Sequence, residues 1–252
     1  SKATAAMNTI VVLAFFFFLP QDSTDYFFRR FTPRSFILNE LPIVQPIAPN
    51  VFFHGSRTKK QVALTFDACA THSRSGYDER VLSVLLEMKT PATLFLSGKW
   101  VIEHRSQTQF LAKHIQFEIG NHSFIHPHCT EISAGRLQRE LTLTQQILFT
   151  VTGKQPTLFR APYGEFDERV LHAAAQQGLT TVQYDLPSGD PDTNATKEKL
   201  IEYVSTMTKN GSVIVMHMNG RGWHTAEALP EIIDRLRKRG FIFVTVSELM
   251  KE

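Results

Sequence analysis

The chain has 252 residues, 42% of them apolar and 20% charged, with a formal net charge of +3. That composition supports a sizeable core and excludes wholesale disorder. A net charge so small, with no basic stripe interleaved with aromatics, excludes a surface built for nucleic acid. The length fits one large α/β domain or two small ones.

Residues 10–19 form an unbroken apolar run stopped by Pro20. A helix that spans a bilayer needs about 20 such residues, so the run matches the apolar heart of a secretory signal better than a span. Met7 fits a natural start. The other readings are an uncleaved membrane anchor or a merely hydrophobic arm, because only Lys2 precedes the run with positive charge and no Ala-x-Ala site follows it. The expectation is an exported protein: periplasmic, envelope-bound or secreted. Residues 20–50, rich in Pro, Phe and Arg, predict a linker or wrapping arm. The chain thus divides into a signal-like segment and arm over 1–50 and a folded domain over 51–252.

From residue 51 the pattern becomes regular. Short β-rich apolar segments at 62–66, 92–96, 117–120, 157–160, 180–184, 212–216 and 241–246 alternate with segments of helical period. The helices fall at 78–88, 100–115, 133–152, 167–177, 197–208 and 225–239. Asp78 and Ser133 sit as N-caps, and Gly153 as a stop. About seven such units imply a parallel sheet covered by helices. In barrel and doubly wound forms alike, ligands bind at the carboxyl ends of the strands. Asp67, His122, Arg160, Asp185 and His217 all fall at such ends. No Gly-rich fingerprint or P-loop follows a strand, which excludes a nucleotide site of those kinds.

The chemistry follows from these residues. His122 and His126 are four apart, a spacing that puts two imidazoles on one face of a helical turn and suits a divalent ion. His128 is nearby and competes for the role. Asp67 ends an apolar strand, where a carboxylate is costly unless paired. Arg160 is its natural partner, because a guanidinium grips a carboxylate bidentately and would keep it ionised as a base. His217 ends another apolar strand and fits a general acid, provided a carboxylate raises its pKa. Asp185 and Asp190 are both candidates for that carboxylate. Cys69 and Cys129 follow strand ends; they could pair in an exported protein or be two small buried thiols.

The order of these motifs resembles the polysaccharide deacetylases of carbohydrate esterase family four, the chitin and peptidoglycan deacetylase group, from about residue 51 to the C-terminus. Thr65-Phe66-Asp67 matches the family's Thr-Phe-Asp-Asp until Ala68. His122-Ser123-Phe124-Ile125-His126 matches its histidine motif, and Arg160-Ala161-Pro162-Tyr163 its Arg-x-Pro-Tyr motif in full. Asp190-Pro191 matches Asp-Trp in part, and Val215-Met216-His217 stands for Leu-x-His. The resemblance implies a distorted (β/α)7–8 barrel with parallel strands. It implies His122 and His126 as metal ligands, Asp67 as base and Arg160 as the residue that orients it. It further implies the Tyr163 N–H at the oxyanion, and His217 as acid, tuned by Asp190.

Three departures qualify what is implied. Ala68 stands where the family has a metal-ligating aspartate, and two histidines are fewer than the three protein ligands usual for catalytic zinc. Asp78 is the first substitute, ahead of Cys69 and His72; the alternative is no third protein ligand. Pro191 and Val215 replace residues that line the acyl pocket, which predicts a different or looser pocket. The leading expectation is a divalent-metal hydrolase, with Zn first and Co, Ni or Mn as others. It removes acetyl groups from an acetylated glycan of N-acetylhexosamine units, such as peptidoglycan or a chitin-like oligosaccharide. Its partners would be that glycan and, through residues 10–19, a membrane, with no nucleic acid or nucleotide. The alternatives are a degenerate barrel that binds glycan without cleaving it, and a hydrolase of a small non-sugar amide.

Overall fold

The computed structural model describes residues 23–72 and 75–251. The strands in chain order are β1 (Val51–Phe52), β2 (Gln61–Ala68), β3 (Ala92–Leu96), β4 (Phe117–Asn121), β5 (Leu158–Phe159), β6 (Thr180–Val182), β7 (Leu186–Pro187), β8 (Val213–His217) and β9 (Ile242–Phe243). The helices are α1 (Ser23–Arg29), α2 (Glu79–Glu87), α3 (Gly98–Glu103), α4 (Arg105–Ala112), α5 (Ala134–Thr152), α6 (Glu168–Gln176), α7 (Lys197–Met207), α8 (Thr225–Lys238) and α9 (Val246–Leu249). Every strand pairing is parallel, in the order β1-β6-β5-β4-β3-β2-β8-β7, with β9 also joined to β2. The sheet curls as the expected barrel does. It stays open between β1 and β7, which share no hydrogen bonds among the described residues.

The sequence explains the centre of this sheet. In β2 every residue after Gln61 is buried, so the run is apolar nearly throughout, as a parallel strand covered on both faces requires. The helices begin where short polar side chains can take up free amides. Asp78 accepts from Arg80 N–H, Ser97 from Trp100, Ser133 from Arg136 and Asp167 from Val170. Gly153, at φ +70°, ends α5 in the left-handed conformation that glycine takes without penalty.

The structure departs from the sequence reading at three elements. The expected helix 100–115 is α3 and α4, broken at His104, which is buried and bonded through Nε2 to the Ser75 carbonyl. The expected strand 180–184 stops at Val182, the last residue paired with β1, where Phe52 is its partner. The chain then re-enters the sheet as β7 beside β8. The last strand shortens to two residues, since Thr245 caps α9.

Residues 10–19, the signal-like run, lie outside the described residues. No helix of the described residues is long and apolar enough to cross a membrane. The arm that follows wraps the domain: Phe28 of α1 is buried in the same core cluster as Phe66 and Phe124. Its ring meets Phe124 edge-on at 5.2 Å, and the Arg136 guanidinium stacks on Phe27 at 3.9 Å. Cys69 and Cys129 are separate buried thiols, not a disulfide.

Candidate active site

Parallel register gathers the motifs. Asp67 pairs with His217 across β2 and β8, Leu96 with Asn121 across β3 and β4, and Asn121 with Phe159 across β4 and β5. The residues one step beyond those pairs, His122 and Arg160, therefore emerge at the same rim. Sequence positions 150 residues apart become neighbours because each ends a strand at the same level.

Asp67 and Arg160 form the buried ion pair the sequence predicts, with Arg160 Nη1 donating to Asp67 Oδ1 at 2.8 Å. Arg160 is fully buried. It also donates to Thr65 Oγ1 at 2.7 Å and to the Gln183 carbonyl, and lies over the Phe95 ring at 4.2 Å. Burial pushes the Asp67 pKa up, but the charge and hydrogen bond of Arg160, with the charge of His217 behind them, outweigh burial and hold the carboxyl below its usual value. Asp67 is an ionised carboxylate with a fixed orientation.

The two imidazoles do converge, with ring centres 4.9 Å apart, but not on a helical turn. Ser123 and His126 are left-handed, at φ 64° and 60°. The amides of this loop find side chains instead of helical carbonyls. Asn121 Oδ1 accepts from Ser123 N–H, and Glu140 of α5 accepts from Phe124 and Ile125 N–H at 2.8 and 3.0 Å. Of the four non-glycine residues with positive φ among the described residues, three (Ser123, His126 and Tyr163) are in this site. Strain of that kind persists only where the surroundings over-determine it.

The pair fits a cation in one respect. His122 Nδ1 bonds to the Arg160 carbonyl at 2.8 Å, which leaves Nε2 with a lone pair; that atom is buried, unpartnered and 3.8 Å from Asp67 Oδ2. His126 Nδ1 is likewise buried and unpartnered. Burial lowers both imidazole pKa values, that of His126 to about 3, so both rings are neutral and fit to ligate.

A third protein ligand is not brought to them. The Ala68 methyl is buried in the core cluster. Asp78 caps α2 and is held by Arg80 at 3.3 Å, so it does not join the pair. Its carboxylate is spent on the helix N-terminus that its own position in the sequence created. Cys69 is tied to Asn219, and burial raises its thiol pKa. His72 packs against Phe27 and Phe31 of the arm. Among the described residues no group of three or more His, Cys, Asp or Glu is placed to hold a metal ion.

His217 has its carboxylate. Asp190 Oδ1 accepts from Nδ1 at 2.8 Å, and Oδ2 takes the His217 backbone N–H and the Thr225 hydroxyl, each at 2.7 Å. Burial lowers the imidazolium pKa, but the hydrogen bond and charge of Asp190 together outweigh it and raise the pKa above the usual histidine value. Asp185 sits elsewhere: it holds Arg57 at 2.7 Å and the Val213 N–H, at the start of β8. A cavity of about 290 Å³ opens over Asp67, His126, Tyr163, Asp190 and His217. Tyr163, left-handed at φ 59° inside the Pro162–Gly164 turn, stacks on His128 at 4.1 Å, and His128 is paired with Glu165.

Comparison with known proteins agrees with this geometry. The family model for polysaccharide deacetylase matches residues 54–182. The chain is 33% identical over 211 residues to the peptidoglycan-N-acetylmuramic acid deacetylase of Bacillus subtilis, covering 81% of this chain and 76% of the relative. The chain belongs to the polysaccharide deacetylase family. Its deacetylase relatives support a hydrolase acting on the amide bonds of acetylated glycans. A peptidoglycan-N-acetylglucosamine deacetylase of Bacillus cereus is 31% identical over 77% of this chain and 89% of its own. The crystal structure of a carbohydrate esterase family four pseudoenzyme from Bacillus anthracis superposes with a TM-score of 0.72 at 26% identity, over 81% of this chain and 69% of that one.

The polysaccharide deacetylase site also uses residues the sequence reading passed over. Thr65 Oγ1 accepts from the same Arg160 Nη1 that holds Asp67, and the Thr225 hydroxyl donates to the second oxygen of Asp190. Glu140 shapes the histidine loop. Glu140 had a signal: it lies on the buried face of α5 between Leu137 and Leu141, where an ionisable group needs a reason. Arg221, which also lines the cavity, had none, because a lone Arg in a Gly-containing loop is ordinary.

Proposed function

We propose that this chain is an acetyl hydrolase of an acetylated, N-acetylhexosamine-containing glycan such as peptidoglycan or a chitin-like oligosaccharide. The observation that carries it is the register pair Asp67–His217: an ionised base and a proton-holding imidazole side by side at one cavity, each oriented by its own ion pair. Asp67 takes a proton from the attacking water, and Arg160 keeps it ionised to do so. His217 Nε2 gives a proton to the departing amine, with Asp190 fixing Nδ1–H. The Tyr163 N–H receives charge on the carbonyl oxygen.

His122 and His126 would hold a divalent cation, zinc before cobalt, nickel or manganese, and such an ion supplies polarisation of the acetyl carbonyl and a more acidic water. With two imidazoles in place of three protein ligands, the affinity is lower than in a closed zinc site. The glycan reading places the protein at the cell envelope or outside the cell.

The test is acetate release from peptidoglycan strands and from N-acetylglucosamine oligomers. Asp67→Asn and His217→Ala should each lower kcat by ~100-fold or more, with the circular dichroism spectrum retained. A second reading is favoured by Ala68 itself: a glycan binder that no longer hydrolyses. It is the outcome if the wild-type protein retains the glycan but releases no acetate with zinc supplied.

A further inference from the structure

The cavity carries one more charge than the hydrolysis needs. Arg221, on the loop between β8 and α8, lines it beside Asp190, His217 and Cys69. The same cavity wall holds His126, and the charge of Arg221 opposes that of a protonated His217. No carboxylate pairs with it among the described residues. The two carboxylates that line the cavity are already engaged, Asp67 by Arg160 and Asp190 by His217 and Thr225. An unneutralised guanidinium works against a protonated acid at His217, so it is a cost to catalysis until an anion arrives.

The loop is built to hold it there. Asn219 Nδ2 donates to the Cys69 carbonyl at 2.9 Å, Gly76 N–H to the Asn219 carbonyl, and Trp223 N–H to the Asp190 carbonyl at 3.0 Å. Gly222 has no room for a side chain: a Cβ would lie 2.0 Å from Thr225 Oγ1 and 2.6 Å from Asp190 Oδ2. The chain is thus held to Cys69 and Gly76 on one side of Arg221 and to Asp190 on the other, while the Arg221 side chain is exposed and lines the cavity.

We propose that Arg221 makes this site selective for acetylated sugars that carry a carboxylate, gripping that anion while the acetamide lies between Asp67 and His217. A planar guanidinium binds a carboxylate through two parallel hydrogen bonds, a geometry a neutral hydroxyl cannot match. The substrate class is an N-acetylhexosamine bearing an acid, such as a lactyl ether, rather than a neutral N-acetylglucosamine polymer. This rests on the hydrolase reading above.

The experiment compares kcat/KM for acetate release from peptide-free peptidoglycan strands with that from the same strands after conversion of the lactyl carboxyl to its amide. Wild type should favour the carboxylate form on the order of 10-fold or more, one charge-assisted pair being of that size. Arg221→Gln should bring the ratio to about one, and Arg221→Lys should keep part of it, since Lys retains the charge without the fork. Preference with the carboxylate present should also fall as salt rises. A wild-type ratio of one, or a ratio unchanged in Arg221→Gln, overturns the proposal. If wild type cleaves neither strand, the hydrolase reading fails on its own. Calorimetric binding of the two strands to wild type and Arg221→Gln then decides the Arg221 assignment by the same ratio.

Discussion

Two ion pairs set the electrostatics of single residues here, and they pull in opposite directions along the pH scale. Asp67 is held below its usual pKa and His217 above its own. The proposed hydrolysis needs the first ionised and the second protonated, so activity should span the range between those values and fall as pH rises through the His217 pKa. Asp190→Asn leaves burial opposed only by the charge of Asp67. The basic limb of the kcat/KM profile should then move to lower pH by about 1 unit or more. Linkage gives the matching stability effect. A raised histidine pKa stabilises the fold below pH 6.5 and loses that contribution as pH rises through the folded value. Asp190→Asn should remove this loss from the alkaline side of the stability profile. At Arg160 the cost is structural, because a fully buried cation and its carboxylate stand or fall together. Asp67→Ala, which strands the guanidinium, should lower unfolding free energy by about 3–5 kcal/mol in urea.

At the scale of elements, the histidine loop depends on a helix that is not adjacent to it in sequence. Glu140 is buried, and burial raises its pKa, yet it accepts two loop amides and the Arg136 guanidinium. Glu140→Ala should cost about 1–3 kcal/mol for each amide it orphans. It should also weaken zinc uptake measured by calorimetry, because His126 loses its left-handed seat. On β2, Ala68→Asp places a carboxylate where the core is dry. Its melting temperature should fall in metal-free buffer and recover when zinc is added, a ligand present at 100 times its Kd returning about 2.7 kcal/mol. If zinc leaves that variant's melting point unmoved, residue 68 does not face the imidazole pair and the cation reading loses its support.

For the whole molecule, the arm belongs to the core rather than trailing from it. Phe28 is 1% exposed and packs on Phe124, within the histidine loop. Phe28→Ala should cost about 3–5 kcal/mol and lower activity as well as stability, because the loop behind the ring carries His126. Equal activity at equal folded fraction would show that the arm stabilises without positioning anything.

Much of this was legible in the chain itself. The alternation of β-rich and helical segments determined the parallel α/β fold, because buried parallel strands must be apolar on both faces and helices must be capped. The strand-end positions of Asp67, His122, Arg160 and His217 marked the rim, and Arg160 was identifiable as the partner of Asp67 because a carboxylate at the end of a dry strand demands a cation. Other features were decided only by the folded chain. Spacing suggested a helical turn at His122–His126, but the carboxylate of Glu140 and the amide of Asn121 supplied hydrogen bonds that a helix would otherwise provide. Asp78 looked available as a ligand, yet its place at a helix start gave it to α2 and Arg80. Between Asp185 and Asp190 the sequence offered no choice, since both precede β8; strand register put one at the foot of that strand and the other at its tip. The position of Arg221 beside the acid pair depends on a loop clamped by residues from three other segments, and such long-range contacts leave no periodic trace in a sequence.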